Sequence, residues 1–158
     1  MAHATPPGFH TVTAGLCVRD TAKAIDFYEH AFGATELVRM AAPDGPIMHA
    51  EIKIGDSIVF LSDEKPEMGR SSPQTVGRPT GALYLYVENV DAAFKQAIDA
   101  GARELMAPSN MFWGDRFAQV ADPFGHHWGL ATRVEDVSPD EMERRGREFF
   151  AKTGQSTK

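Results

Sequence analysis

His49 and Glu51 stand two residues apart in the segment Met48 to Ile54, where Ala50, Ile52 and Ile54 form the intervening apolar series. In an extended strand the two series face opposite ways, so the imidazole, the carboxylate and the Lys53 ammonium share one face. A carboxylate in half-apolar surroundings, or one paired with an imidazole, suits a general base. The alternative is a polar rim pair, solvated or bridged to an arginine, and Lys53 reads as a solvated strand end. Tyr84 and Tyr86 repeat the two-residue spacing with aromatic rings, and Phe60, Phe117 and Met48 add apolar walls. Such residues either fill a core or line a pocket for a planar or hydrophobic small molecule. Met111-Phe112-Trp113 is placed to lid that pocket, and Gln119 reads as an inward hydrogen-bonder. Arg116 would clamp an anionic ligand through its two-pronged guanidinium, or else pair with Asp115 or Glu51. His10, His126 and His127 show no metal-ligand spacing. Cys17 has no basic neighbour to activate it and reads as a structural thiol.

These residues sit on a repeated frame. Thr11 to Val18 alternates, then Asp20 caps a helical pattern with Ala24, Ile25, Tyr28, Ala31 and Phe32 on one face, stopped by Gly33. Ala82 to Val87 alternates in turn, Asn89 caps a second helix carrying Val90, Ala93, Phe94, Ala97 and Ile98, and Gly101 stops it. Three strands follow each helix, near residues 35–40, 48–54 and 57–62, then 103–107, 115–121 and 127–132. Gly55-Asp56 and Asp122-Pro123-Phe124-Gly125 provide turns between them. The expected fold is α+β: two tandem βαβββ modules plus a C-terminal helix. The whole chain, 1–158, reads as a single domain, with module one at about 11–65, a linker at 66–81, module two at about 82–132 and a tail at 133–158. Ser138-Pro139-Asp140-Glu141 begins the tail helix with a cap, a first-turn proline and a capping-box glutamate. That helix is expected to lay Met142, Phe149 and Phe150 on its own domain or on a partner subunit. Strand parity assigns Val12, Ala14, Leu16 and Val18 to the helix-covered face, and Thr11, Thr13, Gly15 and Cys17 to the cleft.

The chain has 158 residues and a formal net charge of −6. That balance argues against nucleic acid and against an anionic membrane surface. A single cysteine excludes an internal disulfide. No apolar run approaches a membrane span, and the first ten residues lack a signal-peptide core, so a cytoplasmic protein is expected.

Several motifs together resemble the vicinal oxygen chelate superfamily, which unites glyoxalases, bleomycin-resistance proteins and extradiol dioxygenases. The carriers are Val18-Arg19-Asp20, Ile25-Asp26-Phe27-Tyr28, Val87 to Ala93 and Asp122-Pro123-Phe124-Gly125. Met111 to Arg116, His127 to Thr132 and Val134 to Pro139 are similar to its PhnB-like branch in particular. The resemblance implies two tandem βαβββ modules forming a half-open sheet cleft around a ligand, a homodimer, and metal ligands on the first and fourth strands of each module. The matching positions here are Thr13, Phe60, Ala82 and Gly129, none of which is a good donor. No cofactor is therefore expected, and the metal-dependent chemistries of the family lose their basis. What remains is a metal-independent binder of a small, partly aromatic or hydrophobic molecule. The alternatives are an isomerase or lyase using Glu51 with His49, and a metal enzyme with relocated ligands.

Overall fold

Two short polar side chains start the two long helices. In this computed structural model, which describes residues 4–154, Asp20 accepts a 3.0 Å hydrogen bond from the Lys23 amide at the start of α1 (Thr21–Phe32). Asn89 likewise accepts from the Ala92 amide, 3.0 Å, at the start of α3 (Val90–Ala100). These contacts satisfy donors that have no partner within the helix. Gly33 and Gly101 close the helices with positive φ, 64° and 115°. The N-terminal and tail readings above include residues 1–3 and 155–158, which lie outside the described residues.

The first sheet holds β1 (Ala14–Val18), β2 (Thr35–Ala41), β3 (Ile47–Ile54) and β4 (Ser57–Asp63), in the order β1-β4-β3-β2. The second holds β5 (Ala82–Tyr86), β6 (Arg103–Asn110), β7 (Asp115–Ala121) and β8 (His127–Arg133), in the order β5-β8-β7-β6. In both, the first strand pairs in parallel with the last and the other pairs are antiparallel. The register repeats as well: Ala14 lies opposite Val59, and Leu83 opposite Trp128. The α+β fold with two tandem modules and a C-terminal helix is therefore the one observed.

Both modules drain into one core. Ile25, Tyr28, Ile52 and Leu61 come from the first, and Val90, Val120, Trp128 and Leu130 from the second. Helix α1 packs on α3, and its Tyr28 and Phe32 rings lie 5.3 and 4.7 Å from the Trp128 ring. A buried carboxylate fastens this seam. Asp122 Oδ2 accepts from Tyr28 Oη at 2.6 Å and Trp128 Nε1 at 2.8 Å, while Oδ1 accepts from the Phe124 and His126 amides, both at 2.9 Å. Burial, reinforced by the Asp122 charge, pushes the Tyr28 phenol well above its usual range.

The first strand starts later than its alternation suggests. Pairing with β4 begins at Ala14, so nothing holds the preceding residues against the helices, and Val12 is 84% exposed. Ala14 is exposed too, leaving Leu16 and Val18 as the core contribution of β1. Residues 66–81 contain a 3-10 turn (Pro66–Met68) and a short helix, α2 (Pro73–Val76), capped by Ser72. The tail forms α4 (Pro139–Thr153), whose Ser138 cap accepts from the Glu141 amide at 3.3 Å. No helix among the described residues is long and apolar enough to cross a membrane.

Removing the Tyr28 hydroxyl leaves Asp122 one donor short inside the core, so Tyr28→Phe should cost about 1–3 kcal/mol. Asp122→Ala strands four donors and should cost more. Urea unfolding followed by circular dichroism reads both as lowered midpoints; wild-type midpoints in both variants would remove Asp122 from its place at the seam.

Candidate functional site

The faces turned away from the helices carry the polar and aromatic side chains. On β3, Ala50, Ile52 and Ile54 are buried against the helices. His49 and Glu51 take the other side, with His49 Nε2 3.1 Å from Glu51 Oε1. Glu51 is registered opposite Phe60 on β4, and the His49 and Phe60 rings meet edge to face at 4.8 Å. Lys53 is exposed near the strand end. The cavity in front of this face, about 450 Å³, is lined by Cys17, Met48, His49, Phe60, Ser62 and Arg70 among others. All its residues belong to the first module and the segment after it. Burial raises the Cys17 thiol above its usual range, which disfavours a reactive thiolate.

The second face is built around Asp115. This residue is 1% exposed, and its Oδ2 accepts from Tyr84 Oη (2.9 Å), Tyr86 Oη (3.1 Å) and Trp113 Nε1 (3.1 Å). Small residues on the intervening strand make this reach possible. Tyr84 lies opposite Gly129 and Tyr86 opposite Ala131, so the rings lie across β8 toward β7. Tyr84 stacks on Phe117 at 5.2 Å and 16°. Asp115 Oδ1 has no hydrogen-bond partner; Arg133 Nη1 stands 3.7 Å away. Burial first, and then Asp115, push the Tyr84 phenol up to about 12, and the same causes raise Tyr86. Gln119 follows Phe117 on the same face, half-buried and registered opposite Gly129.

Two residues grouped with the cleft by sequence lie elsewhere. Arg116 is bound by Asp91 of α3 through Nε and Nη2, at 2.7 and 2.8 Å, with Nη1 3.2 Å from Asn110. Strand parity is the reason: with Asp115, Phe117 and Gln119 facing the bowl, Arg116 must face the helix side. It pairs with neither Asp115 nor Glu51. Phe112 does not lid the cleft but lies under α4, 5.3 Å from Phe149 and 6.0 Å from Phe150, with Gly146 closing over it. Of the turn before β7, Trp113 alone among the aromatics joins the Asp115 cluster. His10 is exposed at the edge of a separate cavity, and His126 Nε2 lies 2.9 Å from the Cys17 carbonyl oxygen. Asp115 itself was visible in sequence only as a possible arginine partner; its role depends on three strands that only the fold brings together.

Two βαβββ modules, each with an open sheet face, define a paired-module protein. The profile of the Glyoxalase/Bleomycin resistance protein/Dioxygenase superfamily matches residues 8–130, and the chain belongs to that superfamily. An uncharacterized protein of Mycobacterium tuberculosis, Rv0887c, is 45% identical over 131 residues, covering 81% of this chain and 77% of the relative. The crystal structure of TioX from Micromonospora sp. ML1 is 25% identical with a TM-score of 0.61, covering 82% of this chain and all (100%) of that one. The PhnB protein from Bacillus cereus shares the fold at 18% identity and a TM-score of 0.60, covering 78% of this chain and 99% of that one.

The donors that a divalent metal needs are missing from the positions where the family resemblance places it. Phe60 puts a ring there, packed between His49 and Phe9. Gly129 has no room for a ligand: a Cβ would lie 2.7 Å from Phe117 Cε2 and 3.0 Å from Tyr84 Cδ2. Thr13 and Ala82 bring no carboxylate or imidazole. On β1 and β5 the register sets Gly15 beside Phe60 and Tyr84 beside Gly129, which supply neither; on β3 and β7 it sets Glu51 and Gln119 there, a single carboxylate between the two halves. No group of three or more His, Cys, Asp or Glu suited to a metal occurs among the described residues. This donor set does not fit the metal.

Removing the Asp115 charge should bring the Tyr84 titration part of the way back from about 12 toward 10. A phenol becomes an anion on losing its proton, so a neighbouring carboxylate holds that proton to higher pH, and Asp115→Asn releases it at lower pH. Phenolate absorbance of the native protein reads this directly, with Tyr28 unmoved as the internal control. An unshifted titration would dissolve the cluster.

Proposed function

We propose that this protein binds a small, partly aromatic or hydrophobic molecule without a divalent metal, in clefts completed by a second copy of the chain. The Tyr84–Phe117 stack over Gly129 carries the reading, because an aromatic wall stands where a metal ligand would have to stand. Phe60, Tyr84, Tyr86, Trp113, Phe117 and Gln119 are the contact residues, and Arg116 and Phe112 are left out of the set. The open faces support the dimer. Tyr84 and Tyr86 are 43% and 66% exposed on an edge strand, and β1 is likewise an edge. Exposed aromatic rings on sheet edges favour burial by a partner. A first-module face from one subunit would then meet the aromatic face of the other. The lone thiol suits a reducing cytoplasm.

Light scattering on tag-free protein should give twice the chain mass, and Tyr86→Arg should shift it toward monomer. Metal analysis after incubation with zinc, nickel, manganese and iron(II) should find no stoichiometric ion. Planar aromatic probes should quench Trp fluorescence in the wild type and less in Tyr84→Ala. One tightly held metal per chain, or no binding of any probe, would overturn the reading.

The 3.1 Å contact between His49 and Glu51 favours a second reading, an isomerase or lyase in which Glu51 removes a proton and His49 orients it. Glu51→Gln should then abolish turnover and keep ligand affinity; equal turnover by the variant would eliminate this reading.

A further inference from the structure

The first-module cavity contains a cation, Arg70, that pairs with none of the acids around it: Glu67 on its own turn is exposed and forms no ion pair among the described residues, and Asp63, Glu64 and Glu51 are engaged elsewhere. Asp63 accepts from the Thr21 and Ile47 amides, both at 2.8 Å. Glu64 accepts from the Ser72 amide at 2.9 Å and Thr75 Oγ1 at 2.8 Å, with Arg19 Nε at 3.4 Å. Those hydrogen bonds, led by Ser72, hold Glu64 down to about 2, so it stays an anion committed to its own loop. Glu51 is engaged by His49. Arg70 lines the same cavity as His49, Phe60 and Ser62, and it makes no ion pair and no side-chain hydrogen bond among the described residues. Its backbone is fixed all the same: Lys65 and Arg70 exchange hydrogen bonds of 2.7 and 3.1 Å around the Pro66–Met68 turn. A guanidinium on a closed turn at the mouth of a cavity, with its donors free, is arranged to grip two oxygens of an oxyanion with parallel bonds.

We propose that Arg70 anchors an oxyanion, and that the molecule bound in this cavity carries a carboxylate or a phosphonate, with its remainder against Phe60 and beside the His49–Glu51 pair. The proposal rests on the small-molecule reading above and narrows it to acids. The chain as a whole carries a charge of −6, which opposes the collection of anions from solution. A local arginine is therefore what an acidic ligand requires here. Ser62 adds a hydroxyl on the same wall as Phe60.

The test measures binding of benzoate, phenylphosphonate, benzamide, acetate and methylphosphonate to the full chain by calorimetry at fixed ionic strength. Benzoate or phenylphosphonate should bind more tightly than benzamide, and whichever binds better names the oxyanion. Arg70→Gln should weaken that acid about tenfold or more, the scale of a lost charge-assisted hydrogen bond. The same variant should leave benzamide unchanged, and Arg70→Lys should recover only part of the loss because it lacks the fork. Arg70 is exposed, so these variants should keep the wild-type circular dichroism. Benzamide binding as tightly as both acids, or full acid affinity in Arg70→Gln, would overturn the proposal and leave the small-molecule reading standing. Acetate or methylphosphonate binding through Arg70 with no gain from the ring would support the Arg70 anchor, and would overturn the placement against Phe60 together with the aromatic part of that reading. Failure of every probe would overturn both.

Discussion

The arrangement of both open faces depends on one buried carboxylate. Asp122 gathers the hydroxyl of Tyr28 from one module, the indole of Trp128 from the other, and two amides of its own turn. A charge so deep is costly unless its oxygens are satisfied, and four donors satisfy them. The geometry that follows is specific. α1 is held against the second module, the helices of both modules share a core, and the sheet faces that carry polar chemistry are turned away from it. The Asp20 and Asn89 caps set where each helix starts; Asp122 sets how the modules meet.

The faces have diverged within that common geometry. Glu51 lies opposite Phe60 in the first sheet, and Gln119 opposite Gly129 in the second. His49 in the first sheet corresponds to Phe117 in the second. One face thus keeps an acid, an imidazole and a thiol, whereas the other has an amide, stacked rings and two phenols directed onto Asp115. The backbone repeat survives because it is secured by apolar parity and by caps, neither of which involves the outward side chains. Those side chains were free to differ.

Much of this was legible in the sequence, for identifiable reasons. Ala50, Ile52 and Ile54 announce the buried side of β3, which places His49 and Glu51 together without further information. Asp20, Asn89 and Ser138 announce helix starts because capping is local. Arg116 was misplaced although parity alone assigned it to the opposite side from Phe117; its partner Asp91, at the start of α3, required the fold. Phe112 was misplaced because the docking of α4 is a tertiary event. Val12 has the right alternation but no opposing strand, and alternation does not report where a partner begins. Asp115 was overlooked because its donors reach it across β8, over the small residues Gly129 and Ala131.

The filled space above Gly129 also bears on which proteins can be reached from this one. A carboxylate introduced there collides with Phe117 and Tyr84 and requires their stacked rings to shift. Replacing Phe60 with a glutamate removes a ring from the packing around His49 and still leaves the opposite half without donors. A metal site at these positions would need both halves rebuilt together. Within one superfamily fold, donors at these positions and the aromatic packing around Gly129 are thus alternatives, because the same space cannot hold both.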